Sequence, residues 1–186
     1  MKRIVQFLFE ANILKAVQRT GFQFLGAGKE SVAEHSFIIA IIAYTMSKLN
    51  PDIDPLKIIT MCLVHDIPEA RMGDLNYVHQ RYATAHENRA LEDLAKNLPF
   101  GEDLIQLVDE FNQCETPESR LARDADQISL MLELKALKDQ GKRGPEKWLI
   151  AAQKRLKTEI GKKLAETIMT TEWDDWWFQT LPELKK

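Results

Sequence analysis

Leu63-Val64-His65-Asp66-Ile67-Pro68-Glu69 is the stretch on which the reading of this chain turns. An apolar run closes on an adjacent histidine and aspartate, and a proline and a second carboxylate follow within one turn. At helical spacing Ile58, Met61 and Cys62 share a face with His65. Burying two polar side chains at the end of such a helix is costly unless each finds a partner. A metal ion can be that partner for both, so the question is whether the chain supplies further ligands.

Two other segments do. Ser31-Val32-Ala33-Glu34 has the form of a capping box, serine at the cap and glutamate three residues on. It opens an apolar helix that runs to Leu49, with His35 in its first turn on the side of Ile38, Ile39 and Ile42. Thr116-Pro117-Glu118 caps a long helix ending near Gln140-Gly141, and Asp126 lies in its interior with Ala122 and Leu130 one turn either way. A carboxylate on an apolar flank needs a counter-charge. Two imidazoles and two carboxylates suit one divalent cation (Mn²⁺, Co²⁺, Fe²⁺, Zn²⁺ or Mg²⁺) better than a thiolate-seeking metal. Each residue alone is a weak signal. A lone histidine on an apolar face is more often a satisfied core residue, and Asp126 alone can pair with Arg123. The ordered set His35, His65-Asp66 and Asp126 on apolar helices carries far more.

Elsewhere the pattern is helical throughout. A first helix is expected over Ile4 to Val17, ending near Arg19-Thr20-Gly21-Phe22, with a loop at Gly26 and Gly28. Asp54-Pro55 starts the helix that reaches Asp66. A turn or short helix spans Glu69 to Met72 and is broken by Gly73-Asp74. Tyr77 to Asn97 reads as a polar helix with Leu91 and Leu94 facing inward, and Glu102 to Phe111 as a shorter one. Gly144-Pro145 starts a last helical section that ends in Trp173, Trp176, Trp177 and Phe178, aromatic residues expected in core or dimer packing. Asp124 is expected to pair with Arg120 one turn away. No alternation of strand type occurs. The expectation is an all-α helical bundle forming one domain over residues 1–186, with a core region of about 5–135 and C-terminal helices at about 145–180 packed on it.

Composition narrows the function. With 45% hydrophobic and 28% charged residues in 186, the chain can build one real core. A net charge of -3 and the lack of a basic cluster interleaved with aromatics speak against polymeric nucleic acid as a partner. The apolar N-terminus is broken by Gln6 and Glu10, unlike a signal peptide, and no run is expected to span a bilayer, so no membrane partner is expected. Cys62 and Cys114 match no zinc or redox spacing, which points to reduced thiols in a cytoplasm. A surplus of apolar and aromatic residues points to a homodimer.

The set His35, His65-Asp66 and Asp126 resembles the H…HD…D signature of HD-domain metal-dependent phosphohydrolases. The closer resemblance is to their 5′-deoxynucleotidase branch. Arg19-Thr20-Gly21-Phe22 is similar to the branch's Arg-Thr-Gly-Trp. Glu30-Ser31-Val32-Ala33-Glu34-His35-Ser36 is similar to its Glu-Ser-Val-Ser-Glu/Asp-His segment. His65 to Leu75 is similar to its His-Asp-x-x-Glu-x-x-x-Gly-Asp block. The resemblance covers about residues 5 to 135. It implies an all-helical HD fold, usually a homodimer, with one divalent cation, acting on a small nucleotide substrate. The implied reaction is hydrolysis of deoxyribonucleoside 5′-monophosphates to deoxyribonucleoside and phosphate by a metal-activated water.

Carried over position by position, the metal ligands are His35, His65, Asp66 and Asp126. Glu69 falls on a catalytic acid/base position, Asp74 on a second acidic position near substrate, and Arg19 on the phosphate- or sugar-side arginine. Phe22 stands where the branch has tryptophan and offers a flat wall with no indole N–H. His79 and His86 read as surface residues, and Glu87 matches an acidic position of the branch. Two alternatives are a phosphohydrolase of the same scaffold acting on a cyclic nucleotide, an alarmone or a triphosphate, and a nucleotide-binding protein without turnover. Retention of all four ligands with Glu69 argues against the second.

Overall fold

The apolar run after Ser31 forms α3 (Val32–Leu49), closed at its start by the expected capping box: Ser31 Oγ accepts from Glu34 N at 3.2 Å, and Glu34 Oε2 accepts from Ser31 N at 2.7 Å. Ile39, Ala43 and Met46 on this helix are fully buried, and around them pack α4 (Pro55–Val64) and the long α8 (Pro117–Asp139). Proline at the first position and a preceding cap residue start both of those helices, as the sequence predicts. These three helices hold the larger core, which includes Ile58, Met61, Ala125 and Met131. A second cluster, with Leu14, Val32, Leu91, Leu94 and Val108, joins α1 (Lys2–Ile13), α6 (Glu87–Ala95) and α7 (Gly101–Gln113). The remaining helices are α2 (Gly21–Leu25), α5 (Glu69–Met72), α9 (Pro145–Gln153), α10 (Glu159–Thr170) and α11 (Asp175–Gln179). This computed structural model describes residues 1–181. Among them the only strand-type pairing is an isolated antiparallel bridge between Gln18 and Ser31.

Several boundaries differ from the sequence expectation, each for a physical reason. α1 stops at Ile13 rather than Val17, because the carbonyls of Leu14 and Val17 accept from Ala33 N (3.3 Å) and Val32 N (2.9 Å) and so tie the chain to the start of α3. Phe22 lies in a separate short helix rather than at the end of the first, and Gly26 at φ 72 ends it where the expected loop begins. The helix expected over Tyr77 to Asn97 is split. Asn76 Oδ1 accepts from Val78 N and His79 N, a local cap that starts only one 3₁₀ turn at His79–Arg81, and a helix resumes at Glu87. Leu91 and Leu94 do face inward.

Asp124 does not pair with Arg120. It is fully buried and accepts from Lys157 N (2.7 Å), Thr158 N (2.8 Å) and Thr158 Oγ1 (2.6 Å), which anchors the start of α10. A Cβ at Gly161 would collide with that carboxylate. Trp173, Trp176, Trp177 and Phe178 are each about half exposed or more, so they are not core residues. α3 is long and apolar enough to cross a membrane by length and composition, contrary to expectation, yet its inward face is the centre of the protein core and carries the buried His35.

A candidate metal centre and substrate cavity

The site lies where the first turn of α3, the end of α4 and the middle of α8 meet. The capping box fixes the entry of α3 and thereby the direction of His35. Ser129 Oγ lies 3.2 Å from His35 Nδ1, on the helix that also carries Asp126 one turn earlier. His65 closes α4, and its Nδ1 lies 3.0 Å from the carbonyl of Cys62. In both rings Nδ1 is engaged, which leaves Nε2 facing the site, the arrangement by which an outer hydrogen bond orients a ligating imidazole.

The Nε2 atoms converge on carboxylates. His35 Nε2 is 3.0 Å from Asp126 Oδ1 and 4.0 Å from Asp66 Oδ2, and His65 Nε2 is 3.1 Å from Asp66 Oδ1. The donor atoms of His35, His65 and Asp126 all lie within 4.8 Å of one another. His35 Nε2, Asp66 Oδ2 and Glu69 Oε2 are buried and have no well-formed hydrogen bond. Orphaned buried polar atoms are rare and call for an explanation. Two imidazole nitrogens and the Asp126 carboxylate converge on one point, with the Asp66 carboxylate against both rings, and this donor chemistry fits a divalent cation, so the residues present match the group.

The electrostatics separate the two rings: burial works against charge on His65, but the charge and hydrogen bond of Asp66 outweigh it and raise the His65 pKa. Burial, helped by the nearby Arg19 charge, lowers the pKa of His35 and favours the neutral ring. Burial works against ionisation of Asp126, but His35 and Arg19 hold its carboxyl well below the usual range. Asp66 is likewise lowered against its burial by His65, His35 and Arg19. The arginine spans the site, with Nη1 3.8 Å from Asp66, Nη2 3.9 Å from Asp126 and Nε 3.5 Å from Glu30. Glu30 is 5% exposed and pushed up to about 7, chiefly by burial. In the sequence Glu30 is only the residue before the capping box, with no sign of a role. The structure shows that it holds Arg19 from behind, and its proximity to Arg19 becomes visible only once Arg19 N donates to Glu30 O at 2.9 Å.

One cavity of about 710 Å³ opens onto this cluster. It is lined by Arg19, Phe22, His65, Asp66, Glu69, Asp74 and Asp126, so seven of the eight residues singled out from the sequence meet here, and the eighth, His35, lies behind them fully buried. Glu69 begins α5, one turn past Asp66, and is pushed up to about 9 by burial and by the charges of Asp66 and Asp74. Asp74 Oδ2 accepts from Thr20 N (2.5 Å) and Thr20 Oγ1 (2.7 Å), which clamps the turn bearing Arg19 to the cavity wall. Phe22 is buried, and its ring fills the space over Gly28, where a Cβ would come within 2.8 Å of it. His86 is exposed, while His79 is half-buried between Asn76 and the Phe24 ring. Glu87 lines the cavity and is hydrogen-bonded by Asn112 at 3.1 Å. Tyr77, Arg123, Gln127, Trp148 and Arg155 also line it and were not singled out from the sequence. Arg123 and Gln127 flank Asp126 on α8 without a motif of their own, and only tertiary packing brings Tyr77, Trp148 and Arg155 to them.

Fold and site together define an all-helical protein with a buried histidine–aspartate cluster at the base of a polar cavity. Residues 11–169 match the family model described as HD domain, and the chain belongs to that family. It is 28% identical over 146 residues to 5′-deoxynucleotidase HDDC2 of Dictyostelium discoideum, covering 72% of this chain and 76% of that protein. It is also 28% identical over 142 residues to 5′-deoxynucleotidase hdd1 of Schizosaccharomyces pombe, covering 70% of each. Among solved structures, a conserved hypothetical protein from Pyrococcus furiosus superposes with a TM-score of 0.75 at 26% identity, covering 89% of this chain and 97% of that one.

Proposed function

We propose that this protein is a 5′-deoxynucleotidase that hydrolyses deoxyribonucleoside 5′-monophosphates to deoxyribonucleoside and phosphate. The observation that carries the reading is the convergence of His35, His65 and Asp126, with Asp66 against both histidines, at a cavity that also holds an unpartnered Glu69 oxygen and Arg19. The activity of the two curated relatives supports the same substrate class.

His35, His65, Asp66 and Asp126 would hold one divalent cation. When bound, such a cation supplies Lewis acidity and positive charge to the reacting phosphate and water. The chain's own residues do the rest. Arg19, rigidly held between Glu30, Asp66 and Asp126, presents a planar fork to the phosphate or the sugar beside it. Glu69, whose carboxyl keeps its proton at neutral pH through burial and the charges of Asp66 and Asp74, donates it to the leaving O5′ as the P–O5′ bond breaks. The proton released by the attacking water, as its oxygen bonds to phosphorus, restores the Glu69 acid. Asp74 keeps the Arg19 turn in place through Thr20. Phe22 gives the sugar a wall without a hydrogen-bond donor, so a ribose 2′-hydroxyl packed on it loses water without gaining a partner.

The exposed α3 stripe Phe37, Ile41 and Tyr44 supports a homodimer, and the unpaired Cys62 and Cys114 fit a reducing, cytoplasmic compartment. A phosphate-release screen with Mn²⁺, Co²⁺, Zn²⁺ and Mg²⁺ over deoxy- and ribonucleoside mono-, di- and triphosphates and cyclic nucleotides tests the reading. The expected result is fastest turnover of the 5′-deoxymonophosphates, with dAMP ahead of AMP. Exclusive turnover of cyclic nucleotides or triphosphates, or none at all, overturns it.

A further inference from the structure

We infer that the part of the cavity beyond Gln127 is a nucleobase subsite in which Arg155, held against the Tyr77 ring, reads the base and favours guanine over adenine. The inference rests on the reading of the substrate as a deoxyribonucleoside 5′-monophosphate.

The cavity changes character along α8. Asp126 belongs to the charged cluster, while Leu130 and Leu134 follow Gln127 at helical spacing and line the same cavity. Trp148, on α9 two turns before Arg155, adds an aromatic wall. The positive charge set directly against the cluster is that of Arg19, between Asp66 and Asp126. Leu130 and Trp148, backed by the fully buried Leu134, offer a dianion nothing, but they give a planar ring the apolar surface that ligand pockets use, with few polar groups to fix its orientation.

Arg155 is such a polar group, and it is pre-positioned. Its Cζ lies 4.7 Å from the centroid of the Tyr77 ring, and its Nη1 donates to Gln127 Oε1 at 3.4 Å. Gln127 is fixed in turn, because its Nε2 donates to Asp126 Oδ2 at 2.9 Å. The guanidinium therefore stands one amide group away from the charged cluster, a reach that the phosphate-to-base span of one mononucleotide can bridge.

The donor pattern selects the base. Gln127 gives one N–H to Asp126 and one oxygen lone pair to Arg155, which fixes its amide plane, so the charged group that this corner turns toward a ligand is the Arg155 guanidinium, which donates and cannot accept. Guanine presents two adjacent acceptors, O6 and N7, which match a guanidinium fork. Adenine presents N7 beside an amino donor that would face another donor.

Phosphate release from dGMP and dAMP, measured for wild type, R155A, R155K and Y77A in the metal-loaded protein, tests this, with thermal melts to check folding. The wild type is expected to favour dGMP in kcat/KM by about tenfold or more. R155A is expected to lose more on dGMP than on dAMP and bring the ratio near one. R155K keeps the charge and stem without the fork, so it guards against a folding failure and should also lose the ratio. Y77A, which frees the guanidinium plane, should lower the ratio as well. Turnover of both nucleotides without preference overturns the subsite while leaving the deoxynucleotidase reading intact. An R155A that depresses both substrates equally assigns Arg155 to phosphate or fold and also overturns it. No turnover of either by wild type removes both readings.

Discussion

At the scale of single residues, the site separates groups that hold charge from one that moves a proton. His35, His65, Asp66 and Asp126 are tied to each other and to Arg19 within 4.0 Å, whereas Glu69 Oε2 is buried without a partner and raised to about 9. That contrast makes a sharp expectation for Glu69→Gln. The amide keeps the shape and leaves the four proposed ligands untouched, but it has no carboxyl proton to give to O5′. The variant should bind metal with wild-type stoichiometry by elemental analysis and lose about two or more orders of magnitude in kcat, the usual range for a general acid. Equal loss of metal and activity would make Glu69 a ligand instead.

At the scale of elements, two polar anchors join helices that apolar packing alone would leave loosely oriented. Asp124 ties α8 to the start of α10 through three accepted hydrogen bonds. Asp124→Ala would leave Lys157 N and Thr158 N without that acceptor, and hydrogen bonds to a charged group contribute about 1.5–3 kcal/mol each. Urea unfolding should show a loss of about 3 kcal/mol or more, with no change in metal stoichiometry. Glu110 of α7 joins Lys57 of α4 (2.7 Å) and the cap residue Thr116 of α8 (2.5 Å). Burial is the largest single influence and opposes its ionisation, but the hydrogen bonds from Lys57 and Thr116 and the Lys57 charge together outweigh it and lower its pKa. The stability it contributes is therefore present above its ordinary value near 4.5 and is lost as pH falls through the lowered folded value. Glu110→Gln should cost up to about 1 kcal/mol at pH 7, since the pair is partly exposed, and almost nothing at the acid end of the same titration. Helices with a cap and an apolar face, α3, α4 and α8, were legible in the sequence to within a residue or two. The 77–97 region was not, because a side-chain cap at Asn76 competes locally with helix and no apolar stripe overrides it before Leu91. The role of Asp124 was equally hidden, since its partners lie more than 30 residues away.

At the scale of the whole molecule, the legible part of the site was the part written in short motifs, while the cavity wall at Tyr77, Trp148 and Arg155 exists only through the docking of α9 and the 74–86 segment. The same distribution gives the charged cluster a mechanical role. Its proposed ligands come from three helices, α3, α8 and the end of α4, which are also the helices around which the larger core forms. A cation bound there binds the folded chain and not the unfolded one, so it must stabilise the fold by mass action, by about 2.7 kcal/mol at one hundred times its dissociation constant. Without a cation, Asp126 is held ionised by His35 and Arg19, and its neighbours carry unpartnered buried atoms. Asp126→Ala removes one proposed ligand and the carboxylate nearest His35 Nε2, and it leaves the helices their apolar contacts. The wild type treated with chelator should melt several degrees lower than the Mn²⁺- or Co²⁺-loaded protein, whereas Asp126→Ala should melt at the same temperature with and without added metal. Amide exchange should show the metal-dependent protection in the first turn of α3, the end of α4 and the centre of α8 together, because one ion braces all three. A wild-type melting temperature indifferent to every divalent cation, or protection confined to one helix, would mean that these side chains pair only with each other.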